Sequence, residues 1–213
     1  MIIEFSVKNF RSIKELQTIS FASSGLKSPK EYSYIDTENI TKIETNKIFK
    51  TIGIYGANAS GKSNILKALD SFIKVVTNEP SSLSNMEKLC DPFLFQSDCE
   101  SSESFFQIVL YVNNQKFRYG FTVKKNTESK PEDSSKPYSS EIITNEWLIG
   151  KKERNIGELF TRTGRDVKNY LPISQAIPAI PYEHSLFISH VAAYDNNNDC
   201  QTIRAYLRNM VTS

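Results

Sequence analysis

Gly56-Ala57-Asn58-Ala59-Ser60-Gly61-Lys62-Ser63 sets two glycines five residues apart and follows them with Lys and Ser. The stretch fits G-x-x-x-x-G-K-[ST] at every fixed position. Average residue usage produces such a match by chance in about one chain in a hundred of this length. The spacing has a chemical reason. A chain of phosphates is a compact cluster of negative oxygens, and a loop can wrap it with backbone N–H donors only where the backbone tolerates unusual dihedrals and close approach. Gly56 and Gly61 provide that tolerance. A helix opening at Lys62 adds free N–H groups and the positive end of its dipole. Lys62 supplies a point charge for the β- and γ-phosphates. The Ser63 hydroxyl is placed to ligate Mg²⁺, a cation that takes oxygen ligands and keeps several waters.

Such a loop needs a strand before it and a helix after it. The apolar run Ile48–Tyr55 is expected to be a buried strand of a parallel sheet. Ile65, Leu66, Leu69, Phe72, Ile73 and Val76 recur at helical spacing, and Asn78 and Pro80 are expected to end that helix.

Elsewhere the pattern has a period of two. Ile3, Phe5 and Val7 alternate with polar residues as a half-buried strand, and the chain returns as a second strand ending near Phe21. Ser23–Lys47 is polar and is expected to be a loop with at most one short element. SFFQIVLYV and KFRYGFTV flank Asn113-Asn114-Gln115 as a hairpin, with Phe117, Tyr119, Phe121 and Val123 on one side. Lys124–Ser140, rich in Ser, Lys and Pro, cannot bury apolar area and is expected to be a mobile loop tip. EIITNEWLIG and GELFTR predict two further strands. An antiparallel sheet is thus expected over about 104–163, inserted after the first helix. A buried run, LFISHVAAY, and a helix through Ile203 and Leu207 follow in residues 185–213.

Hydrophobic residues make up 39% of the 213 and aromatic residues 11%, which is enough for a sizeable core and argues against global disorder. A net charge of +2 makes no global case for nucleic acid or membrane. Cys90, Cys99 and Cys200 are odd in number and lack a CxxC spacing, so neither a zinc site nor a disulfide framework is expected. His184 and His190 have no partner ligands in view and read as structural. No signal peptide and no membrane-length apolar run are visible, and a cytoplasmic protein is the default expectation.

IIEFSVKNFRSI followed by GANASGKSNILKAL resembles the start of ABC-type ATPase heads of the RecF, SMC and RecN kind, in which Asn58 and Asn64 are typical. It is more closely similar to bacterial AAA-family ATPases of abortive-infection and retron-associated systems. Those share a YRYGF-like strand (around Tyr119), an E-W-L strand (Glu146, Trp147, Leu148) and an LF.R strand (Leu159, Phe160, Arg162). The resemblance implies an α/β P-loop NTPase fold whose first lobe spans residues 1–213, with the β insertion inside it and the second lobe starting at about 185–213. It implies ATP and Mg²⁺, a homodimer of heads with ATP sandwiched between them, and control of an effector such as a nuclease or toxin, or of a task on nucleic acid. It would also place Asn9 and Arg11 near the nucleotide; their alternative reading is a strand end and a turn.

The chain departs from that family in two motifs. Four apolar residues followed by Asp-Glu, and an LSGG-like signature, are not found; FFQIVLYV runs into Asn113-Asn114 instead. The chain therefore reads as the first half of a head, with the glutamine that joins the lobes expected in the neighbourhood of Ser189–Asn196. Two functions stay open: an ATPase head, or a nucleotide-sensing scaffold with little hydrolysis. A small kinase is disfavoured by the β insertion and the lack of an Arg-rich lid, and a transporter ATPase by the NFRS start. Lys151, Lys152, Arg154, Arg162, Arg165 and Lys168 could form a phosphate-binding patch, but Glu153, Glu158 and Asp166 are interspersed as on a solvated face.

Overall fold

A computed structural model of the protein describes residues 1–58, 60–128, 138–152 and 155–211. Seven strands form one sheet in the order β2-β1-β5-β6-β7-β8-β9. They are β1 (Ile2–Lys8), β2 (Gln17–Ser20), β5 (Ser104–Val112), β6 (Gln115–Lys125), β7 (Glu141–Lys152), β8 (Asn155–Thr163) and β9 (Asp166–Asn169). Among the described residues every strand pairing is antiparallel. Because β1 pairs with β5, the strands over 104–163 continue the N-terminal hairpin as a single sheet.

Local chemistry explains the hairpins. Asn113 and Asn114 both take positive φ, 49° and 60°, which is the two-residue turn that matches strand twist. One face of the sheet carries Phe5, Val7, Phe106, Ile108, Tyr119, Phe121, Leu148 and Phe160, all buried in the main core. Ile3 was expected on the same face. An irregularity in the β1–β5 register between Ile2 and Glu4 turns it instead into a satellite cluster with Ile48 and Val109. On the opposite face Gly120 leaves room for Trp147, whose ring carbon would lie 2.5 Å from a Cβ there.

Helix α2 (Lys62–Thr77) covers the core face. Its Phe72 stacks on Phe121 with centroids 5.4 Å apart and meets Phe5 edge-on at 5.7 Å. The expected helical stripe is observed, although Leu66 lies outside it and is 54% exposed. Helices α4 (Phe187–Val191) and α5 (Asp199–Val211) pack behind α2, with Ile203 and Leu207 fully buried. A short helix α3 (Ser97–Glu100) precedes β5.

Two expectations are corrected. The polar stretch before residue 47 holds more structure than a loop: a 3₁₀ turn (Lys30–Tyr32), helix α1 (Ser33–Asn39) and a separate hairpin of β3 (Ile40–Ile43) and β4 (Asn46–Phe49). The strand expected across Ile48–Tyr55 stops at Phe49 and lies in that hairpin, not in a parallel sheet. Asn39 diverts the chain there. Its main-chain oxygen accepts from Lys50 N (2.7 Å), and its side chain bonds both Thr51 N (2.8 Å) and Thr51 O (2.9 Å). Beyond it Ile54 and Tyr55 are exposed.

At the base of the Lys124–Ser140 loop, Asn126 N donates to Ser140 O (2.8 Å). The loop's centre, residues 129–137, lies outside the described residues.

Candidate phosphate-binding loop

Helix α2 opens directly from the glycine loop. Gly61 is its N-cap with φ 92° and ψ −1°, a left-handed conformation that side chains rarely tolerate. A Cβ on Gly56 would come 2.9 Å from Ser60 Oγ, so that glycine also serves a close turn. The N–H groups of Lys62 and Ser63, in the first turn, have no acceptor within the helix. Asn64 N and Ile65 N already bond Gly61 O, at 2.9 and 3.2 Å. Lys62 folds back over the loop, its Nζ donating to Gly56 O (2.7 Å), Ala57 O (2.6 Å) and Ser60 Oγ (3.4 Å). The ammonium charge is thereby held at the centre of the loop. Asn58 and Ser63 are exposed at its rim, and Ala59 lies outside the described residues.

A cleft of about 450 Å³ adjoins the loop. It is lined by Ser60, Gly61, Lys62 and Ile65 on one side, by Ile54 and Tyr55, by Ser12, Ile13, Lys14 and Glu15 from the turn between β1 and β2, and by Gln17 at the start of β2. Among the described residues Glu15 is the only carboxylate in that lining. Two free backbone N–H groups, the Lys62 charge and a hydroxyl around a glycine turn suit an anion carrying several phosphates and, at Ser63, a hard cation. Among the described residues no cluster of three His, Cys, Asp or Glu could hold a metal ion without such a ligand.

Asn9 and Arg11 do not line the cleft. Asn9, at φ 52°, is buried. Its Nδ2 donates to Cys99 O (2.8 Å), Ser102 O (3.1 Å) and Glu103 O (3.3 Å), and its Oδ1 accepts from Phe93 N (3.0 Å). Arg11 Nε lies 2.9 Å from Asp91 Oδ2, in ion-pair contact but without hydrogen-bond alignment. The residue of this turn that reaches the loop is Ser12, whose Oγ accepts from Asn64 Nδ2 at 2.8 Å.

Of the stretch Ser189–Asn196, Ser189 stands at the far end of α2. Ser189 Oγ donates to Val76 O (3.4 Å), in the helix's last turn, and a helix of this length spans about 24 Å. The three strand motifs that accompany the loop converge on one buried knot. Tyr119 Oη donates to Glu146 Oε1 (3.0 Å), Arg162 Nη1 to Glu146 Oε2 (3.4 Å), and the N–H groups of Phe187 and Ile188 to the same carboxylate at 2.7 and 2.9 Å. Burial pushes the Glu146 carboxyl up, while Arg162 and these donors pull it down. Arg162 also donates to Gly164 O and Glu183 O. With 1% and 0% exposure, Arg162 and Glu146 cannot touch a ligand; they tie β7 and β8 to the start of α4. Sequence reasoning missed this pairing, although each residue belongs to a noticed motif.

Among the described residues the basic stretch does not form one patch. Arg162 is buried, Arg165 pairs with Glu183 at 3.2 Å, and Glu153 and Arg154 lie outside the described residues. The three cysteines are free and buried. Among the described residues no helix is long and apolar enough to cross a membrane.

No curated protein matches the chain. Residues 52–197, which include the loop, α2, β5 to β9 and α4, match the family described as "AAA domain, putative AbiEii toxin, Type IV TA system". The match covers well over half of the chain, and the protein therefore belongs to this AAA-domain family, tied to abortive infection.

Proposed function

We propose that the protein binds ATP with Mg²⁺ through Gly56–Ser63 and serves as the nucleotide-binding part of an ATPase head in an antiphage defence or DNA-maintenance complex. The observation that carries this reading is the junction at Gly61. A left-handed glycine, the open N-terminus of a 16-residue helix and the Lys62 ammonium meet at one point. Lys62 would hold the β- and γ-phosphates, the loop and the first turn of α2 would supply N–H donors, and Ser63 would ligate Mg²⁺. AAA family membership supports nucleotide binding. The NFRS start supports the RecF/SMC-like placement, with two heads closing over ATP and an effector responding. Contact with nucleic acid is the least supported part, because the basic stretch is split.

The exposed segment that leads into the loop bears on how the head is built. No main-chain hydrogen bond holds Ile52–Tyr55 among the described residues, and β-branched Ile52 and Ile54 suit a strand. In this reading they pair with strands of a second lobe. The scaffold alternative, binding with little turnover, is favoured by the single carboxylate in the cleft.

Calorimetry with Mg-ATP tests the assignment. Lys62→Ala should remove most of the affinity, and Ser63→Ala should mainly weaken its Mg²⁺ dependence. Unchanged binding by Lys62→Ala would refute the site.

A further inference from the structure

The turn between β1 and β2 is rigid where it meets the loop. Phe10 and Ile13 exchange two main-chain hydrogen bonds of 2.8 Å, which leaves Arg11 and Ser12 as a two-residue tip. Arg11 N donates to Asp91 O (2.7 Å), anchoring that tip from behind. The Ser12 side chain then stands against Gly61, its Oγ 3.1 Å from where a Cβ on that glycine would be. Asn64 Nδ2 donates to the same oxygen at 2.8 Å. A serine hydroxyl has one proton to donate and two lone pairs to accept with. Asn64 uses a lone pair, so the proton remains. No acceptor for it stands among the described residues, and Ser12 lines the cleft beside Ser60, Gly61 and Lys62.

We propose that Ser12 is a phosphate-binding residue: its hydroxyl donates to a phosphate oxygen of the bound nucleotide, and Asn64 is the positioning residue that holds it there. The proposal rests on the nucleotide reading above and extends the site to a second segment of the chain, more than forty residues before the loop. It separates the roles within one short motif. Asn9 and Arg11 fix the turn, and Ser12 touches the ligand.

The experiment measures binding of Mg-ATP and of Mg-tripolyphosphate by calorimetry, with thermal melting alongside. A hydrogen bond to a charged oxygen corresponds to about a tenfold change in affinity. Ser12→Ala should therefore weaken both ligands about tenfold with an unchanged melting temperature, and Ser12→Thr, which keeps the hydroxyl, should restore binding. Asn64→Ala should weaken both ligands less than Ser12→Ala, and should add nothing in the double variant. Loss of ATP affinity without loss of tripolyphosphate affinity would overturn the proposal, since Ser12 would then act on the base or sugar. Unchanged binding in Ser12→Ala, with Lys62→Ala inactive, would overturn it while leaving the phosphate loop intact. Full binding by Lys62→Ala would overturn both readings.

Discussion

At the scale of single residues, the polar groups inside the protein are more informative than those on its surface. Asp195 and Asp199 are both buried at the start of α5. Asp195 accepts from Asn197 N (3.1 Å) and Cys200 N (2.9 Å). For Asp199, burial, followed by the charge of Asp195, outweighs a hydrogen bond from the Asn197 side chain and pushes its carboxyl from 3.8 up to about 6. The folded state thus binds this proton more tightly than the unfolded state. By linkage, the contribution of Asp199 to stability is greatest below pH 3.8 and falls as pH rises through about 6. Asp199→Asn keeps the shape and removes the titration. Its melting temperature should exceed that of the parent at pH 7.5, and the gap should shrink towards pH 4. Parallel curves across that range would show that Asp199 is not the group responsible. Glu146 and Arg162 illustrate what residue-level reading missed. Strand alternation places inward residues two apart, yet inward Ile143 and Glu146 are three apart. The β6–β7 register shifts between Thr122 and Val123, and no local pattern in the sequence marks that bulge.

At the scale of elements, α2 is held at both ends by distant parts of the chain. Ser12 meets its first turn, and α5 closes its last. Arg204, 3% exposed, donates from Nε to Val76 O (3.1 Å) and from Nη2 to Thr77 O (3.3 Å), Asn78 O (3.0 Å) and Glu79 Oε1 (2.9 Å). The carbonyls of Val76 and Thr77 are among those a helix end leaves without partners. Arg208, on the same face but half exposed, bonds Thr77 O at 2.9 Å and Glu79 Oε1 at 3.3 Å. The two arginines should differ sharply. Arg204→Ala removes a buried guanidinium and its four hydrogen bonds, one of them to the buried Val76 O, and should cost about 3 kcal/mol, whereas Arg208→Ala should cost less than about 1 kcal/mol. Denaturant unfolding of both variants measures this, and equal losses would contradict the assigned cap. The apolar stripes of α2 and α5 were legible in their periodicity. Their pairing was not, because the contact joins residues more than a hundred positions apart and leaves no trace in either pattern alone.

At the scale of the whole molecule, the hairpins β1–β2 and β5–β6 were readable in the sequence, but β3, β4, β9 and the pairing of β1 with β5 were not. The strands over 104–163 were expected as an insertion, and they sit beside β1 because their inward residues complete the apolar face that Phe5 and Val7 begin. The run ending at Tyr55 was expected to be buried, but an apolar run becomes a buried strand only where other strands flank it, and the described residues place none there. The same geometry bears on catalysis. Transfer of a phosphoryl group to water requires a cradle for the phosphates, and also a group that orients the attacking water and helps hold Mg²⁺. In the reading proposed here, Lys62, Ser63 and the loop answer the first need. For the second, the cleft offers Glu15 alone, on the turn that also carries Ser12. In the reading proposed here the missing acids belong to the second lobe and the facing head. The 213-residue chain should therefore bind Mg-ATP yet release phosphate at close to the background rate, and turnover should rise when a longer chain and a partner head are supplied. Steady-state phosphate release by the two chains, each with its Lys62→Ala control, decides the matter. Equal rates, lost in both controls, would mean that a carboxylate within these residues completes the site. Glu15→Gln would then be the variant to make, and its loss of turnover with binding retained would identify the carboxylate.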